Sequence, residues 1–135
     1  MKSKHKTIGK LKKDAWDLLS KIIRLSSADE GGTVSCFTCG HLMHWEKDGA
    51  QAGHAIPGRT GTTLLDESII KVQCMSCNVF HRGQYHIFAT KLIEENGLDW
   101  WKCKLVESKK IKKWNRVELE ETIEKYKERL KEING

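Results

Sequence analysis

Two cysteine pairs of identical spacing, Cys36-Phe37-Thr38-Cys39 and Cys74-Met75-Ser76-Cys77, constrain this chain more than any other feature. A C-x2-C turn lets two thiolates converge on one ion, and two such turns complete a tetrahedral shell of four sulfurs with no position left for a substrate. The expected ion is zinc, in a structural role, with Cys36, Cys39, Cys74 and Cys77 as ligands. A disulfide framework would suit a secreted chain, whereas the segment Met1-Lys2-Ser3-Lys4-His5-Lys6 lacks the apolar block of a signal peptide. Any chemistry must then come from side chains that the zinc positions. His54 lies between the two pairs, and Asn78 directly follows the last cysteine.

The chain has 135 residues, the size of one domain. Its formal net charge of +6 and pI near 9.1 favour a polyanionic partner such as nucleic acid over an anionic membrane surface. No apolar run approaches the roughly 18 residues of a spanning helix, and a cytoplasmic location is expected. Cys103, next to Trp100 and Trp101, reads as a small core residue rather than a ligand.

Apolar residues recur at three-and-four spacing from Ile8 to Leu25, predicting an amphipathic helix over 8–26 that Gly31 and Gly32 stop by supplying a left-handed cap. A zinc-stapled region follows over 33–97. Its Gly-rich middle, with the single proline Pro57, predicts short strands at 42–45 and 51–56, His54 lying on or beside the second. After Cys77 the pattern predicts a helix carrying Asn78 near its start, weakened at Gly83 and ended at Asn96-Gly97. A helical extension occupies 98–135, its last helix capped by Asn115. The whole reads as one α+β domain, flanked by helices at both ends.

These residue types suit phosphodiester hydrolysis, which requires a base to activate water, a cation to stabilise charge, and contacts that hold the phosphate in line. A neutral imidazole at His54 can accept the proton near physiological pH. The amide oxygen of Asn78 suits Mg2+ or Mn2+, hard ions that prefer oxygen and retain several waters. Arg59 offers a planar fork for the scissile phosphate. His81, three residues after Asn78, is a further candidate for the metal. His41 and His44 could replace a cysteine at zinc, although four thiolates already fill the shell. Taken singly, a histidine in a hairpin is usually a hydrogen-bonding residue and an asparagine at a helix start usually a cap; their joint placement around one zinc favours a site.

The order C-x2-C, histidine, C-x2-C-N resembles the zinc-containing branch of the HNH, or ββα-metal, nucleases, and is similar to phage recombination endonuclease VII. Within that group, Gln51-Ala52-Gly53-His54-Ala55-Ile56-Pro57-Gly58-Arg59 followed by Gln73-Cys74-Met75-Ser76-Cys77-Asn78-Val79-Phe80 is similar to the phage NinG/Rap family, over roughly residues 11–97. The resemblance implies a ββα-metal core with structural zinc on the four cysteines, His54 as general base and Asn78 as Mg2+ ligand. It also implies structure-specific cleavage of branched DNA such as Holliday junctions, in the host cytoplasm if the chain is phage-encoded. In two places the chain departs from the wider pattern. Gly53 stands where many HNH enzymes carry an acidic metal ligand, which leaves Asp66 or Glu67 to supply a carboxylate, Asp66 ranking first. The segment Ser68-Ile69-Ile70-Lys71 has no asparagine to orient His54, which leaves that task to another group such as a backbone carbonyl. The competing readings are a non-catalytic zinc module that only binds nucleic acid, and an adaptor whose terminal helices pair with a partner. Pairing between two copies of this chain would suit symmetric cleavage of a junction.

Overall fold

The computed structural model describes residues 6–57 and 61–134. Helix α1 (Ile8–Ser27) begins where the Thr7 hydroxyl accepts the Lys10 backbone N–H at 3.1 Å, satisfying one of the donors that a helix start leaves unpaired. Leu11, Ala15, Leu19 and Ile22 form its buried stripe, while Lys10–Asp14 and Lys13–Asp17 pair along its wet side. Its end differs from expectation. Ala28 leaves the helix in extended conformation, and the glycines serve the next turn instead. There Asp29 Oδ1 accepts from the backbone of Gly31 and Thr33, and Gly32 takes a φ of +83°.

Among the described residues four short strands follow in two separate antiparallel pairs. Strand β1 (Thr33–Ser35) pairs with β2 (Leu42–His44), and β3 (Gln51–His54) pairs with β4 (Ile70–Gln73). The two expected strands therefore form, each shorter than predicted, but each pairs with a strand that the sequence pattern did not reveal. A single 3-10 turn, Glu67–Ile69, leads into β4.

The helix expected to run on from Cys77 is broken. A π-helical turn (Ser76–Phe80) carries Asn78, and α2 (Tyr85–Asn96) starts only after Arg82, Gly83 and Gln84 have all taken positive φ. Then come α3 (Leu98–Ser108) and α4 (Arg116–Asn134). Asn115 caps α4 as expected: its Oδ1 accepts the Glu118 N–H at 2.9 Å, and the Glu118 carboxylate reaches back to the Asn115 N–H at 3.4 Å.

The main core lies where α1 meets α4, α2 and the β3–β4 pair. Leu11, Leu19, Ile69, Ile70, Phe88, Leu92 and Leu119 are fully buried in it. A smaller cluster gathers Val34, Met43, Ala50 and Val72 around the cysteines. Cys103 departs from the reading as a core residue. It is exposed on α3, a helix that has no buried residue, because the partly buried Trp100 and Trp101 turn a different face to the core. Among the described residues no helix is long and apolar enough to cross a membrane.

Candidate metal centre and active site

Cys36 and Cys39 stand on the turn between β1 and β2, and Cys74 and Cys77 on the turn that follows β4. Gly40, at a φ of +80°, closes the first turn by donating its N–H to the Cys36 carbonyl at 2.9 Å. In the second, the Asn78 N–H reaches the Cys74 carbonyl at 3.0 Å and the Cys77 N–H reaches Cys74 Sγ at 3.4 Å. The four sulfurs lie within 4.8 Å of one another. Cys39 Sγ and Cys74 Sγ are 3.7 Å apart. A zinc–sulfur bond of about 2.3 Å gives a tetrahedral edge of about 3.8 Å, so this group could hold zinc with a contraction of no more than about 1 Å.

The electrostatics agree with a cation site. Burial opposes ionisation of Cys36, but the Thr38 hydroxyl and nearby backbone N–H groups outweigh it and draw that thiol down to about 6. At Cys77 burial, reinforced by the neighbouring sulfurs, pushes the thiol up to about 12. One thiolate forms readily and the next is resisted, a conflict that a divalent cation removes. Among the described residues no histidine joins the sulfur group. His41 is exposed, and His44 Nδ1 accepts the backbone N–H groups of Glu46 and Lys47.

His54 ends β3 and is buried. Its Nε2 lies 3.0 Å from the Leu64 carbonyl oxygen. A carbonyl can only accept, so Nε2 carries the proton and the lone pair of the neutral ring falls on Nδ1. The Trp16 ring of α1 stacks on the imidazole with centroids 4.6 Å apart. Between them, the carbonyl fixes the tautomer and the indole fixes the plane.

Asn78 is half-buried, and its Nδ2 donates to Gln51 Oε1 at 2.7 Å. Its Oδ1 consequently points at Gly53, coming within 3.0 Å of the place a Cβ would occupy there. Trp16 and Asn78 line one open cleft of about 340 Å³ together with Ser20, Arg24 and Gln51. Arg24 is anchored by neutral acceptors: Nε reaches the Ser20 carbonyl and hydroxyl, and Nη1 reaches the Trp45 carbonyl at 3.2 Å. Its guanidinium also lies over the Trp45 ring.

The other candidates stand apart from this group or are otherwise engaged. Asp66 caps the 3-10 turn, its Oδ1 accepting from the Ser68 backbone N–H and hydroxyl while Oδ2 pairs with Lys104 Nζ at 3.1 Å. Glu67 pairs with Arg129. His81 is exposed at the end of the π-helical turn, where its backbone N–H bonds the Ser76 carbonyl. Arg59 lies outside the described residues. Sequence reasoning did not single out Leu64, Arg24, Gln51 or Gln73. Amides and backbone carbonyls carry no chemical motif of their own, and the hint at Gln51 and Gln73 is their place at the heads of the two NinG/Rap-like segments.

The fold and site thus define a small α+β domain built on a four-cysteine cluster that can bind zinc, with an oriented imidazole and an asparagine nearby. The family model described as Bacteriophage Lambda NinG protein matches residues 1–135, so the chain belongs to the NinG family along its whole length rather than over 11–97 alone. No curated protein and no solved structure matches it.

Proposed function

We propose that this chain is a metal-dependent, structure-specific DNA endonuclease that hydrolyses phosphodiester bonds in branched recombination intermediates such as Holliday junctions. The observation that carries the reading is the Nε2 contact of His54 with the Leu64 carbonyl, because in the neutral ring it places the basic lone pair on Nδ1. In this mechanism water attacks the phosphorus while Nδ1 takes its proton. The bond from phosphorus to the leaving sugar oxygen breaks, and that oxygen takes a proton from solvent. A divalent cation held through Asn78 Oδ1 supplies charge stabilisation on the phosphate and leaving oxygen when bound. The β3–β4 pair followed by the π-helical turn supports a ββα-metal core, since it sets base and amide on one zinc-held frame. Arg24 in the adjoining cleft is a cation fixed in place for a backbone phosphate. Zinc, with four thiolates and no open position, holds the frame and takes no part in the reaction.

The test is incubation of the full, zinc-loaded chain with a labelled four-way junction and Mg2+. Wild type should cleave, and His54→Ala at equal zinc content should be slower by on the order of a hundredfold or more. Equal cleavage by both refutes the role of His54. Salt-sensitive binding with no scission by wild type reduces the protein to a nucleic-acid-binding module.

A further inference from the structure

Gln73, the last residue of β4, is fully buried and makes an asymmetric use of its amide. Nε2 donates to the Thr38 hydroxyl at 3.2 Å and to the Gly83 carbonyl at 2.9 Å. Because a carbonyl only accepts, the contact with Gly83 fixes which end of the amide is nitrogen. Oε1 must face the other way, and among the described residues it has no hydrogen-bond partner. A buried acceptor without a donor is unfavourable and calls for a physical reason.

The direction of that oxygen supplies one. Oε1 lies 1.8 Å from the position a Cβ on Gly53 would take, and Asn78 Oδ1 lies 3.0 Å from the same point. Any side chain at position 53 would collide with the Gln73 amide, so glycine is required there to admit it. Two amide oxygens, each oriented by a hydrogen bond through its own nitrogen, therefore converge on one spot at Gly53, the residue before His54. Two oxygens that share an ion at about 2.1 Å are at most about 4.2 Å apart, a spacing this convergence allows.

We propose that Gln73 Oε1 is the second protein ligand of the divalent cation at Asn78. Resting on the nuclease reading above, this proposal explains how the site works without a carboxylate at Gly53, while both oxygens of Asp66 remain engaged by Ser68 and Lys104. The site is a pair of neutral oxygens, so water and the DNA phosphate fill the remaining positions. Such a site holds its ion weakly in the absence of DNA.

The test is Mn2+ binding to the zinc-loaded full chain, followed by the loss of the free Mn2+ electron paramagnetic resonance signal, with zinc content and thermal midpoint checked for each variant. Wild type should bind one Mn2+. Gln73→Leu should weaken binding at least tenfold. Gly53→Ala should do the same by displacing Oε1 while leaving the Gln73 side chain chemically intact. Gly53→Asp combined with Gln73→Ala should restore binding, because a carboxylate then fills the vacated space. If Asn78→Ala loses Mn2+ while correctly folded Gln73→Leu and Gly53→Ala bind as wild type, the role of Gln73 is overturned and the nuclease reading survives. If wild type binds no Mn2+ at this site even at millimolar concentration, the metal-dependent reading itself fails.

Discussion

Removing zinc from the four-cysteine group should cost the domain about 4 kcal/mol. An ion held there would tie Cys39 to Cys74 across 35 positions of chain. Closing a loop of that length removes roughly 13 cal/mol/K of entropy from the unfolded ensemble, which is about 4 kcal/mol at 25 °C. That is a large share of the roughly 5–15 kcal/mol by which domains are stable. For a chain of 135 residues it corresponds to a fall of roughly 10–15 °C in the thermal midpoint. The loss should begin locally. The cluster around the cysteines rests on Val34, Met43, Ala50 and Val72, whereas the core between α1 and α4 contains Leu11, Leu19, Phe88 and Leu119. Strands β1 and β2 should therefore lose order before the helices do. The assay is thermal melting by circular dichroism with and without a zinc chelator under reducing conditions, with tryptophan fluorescence reporting on Trp45, which packs against the cysteine cluster. Cys39→Ser should reproduce the effect, and Cys103→Ser on exposed α3 should not. A reduced, metal-free chain that melts within a degree or two of the zinc form would refute the argument that the staple holds this half of the molecule.

Three further outcomes follow from particular residues. Arg24→Ala should weaken DNA binding by a similar factor on every sequence and lower the slope of log affinity against log salt by about 1, measured by fluorescence anisotropy across a salt series. Asn115→Ala removes the cap of α4 and should cost about 1 kcal/mol in urea unfolding, with the zinc content unchanged. Zinc loading near pH 7 should release protons into a weakly buffered solution. Cys36, drawn down to about 6, is already ionised there, while Cys77, pushed up to about 12, must give up its proton; zinc affinity should consequently fall as pH is lowered.

What the sequence makes legible here are features whose cause is local. The two cysteine pairs declare themselves through a spacing of two residues, and α1 and α4 through helical periodicity and, at α4, the capping Asn115. Strands β1 and β4, of three and four residues, are too short to display a period, and each is defined by a partner distant in sequence. The break before α2 was only partly visible. Gly83 signals it, but Arg82 and Gln84 also take left-handed backbone, which neither residue type announces. Within the site, His54 and Asn78 stand out by their position relative to the cysteines. The role proposed for Gln73 arises from contacts with Gly53, Thr38 and Gly83, which only the folded chain brings together. Gly53 marked the place where a carboxylate was missing, and the fold shows that an amide oxygen fills its space.

The most direct test of the account is anomalous diffraction from crystals of the zinc-loaded protein bound to a DNA junction and soaked with Mn2+. It predicts one zinc peak at the centre of the four sulfurs and one manganese peak at Asn78 Oδ1, with the scissile phosphate between that ion and Nδ1 of His54. Manganese bound elsewhere, or DNA seated with no phosphate near His54, would contradict it.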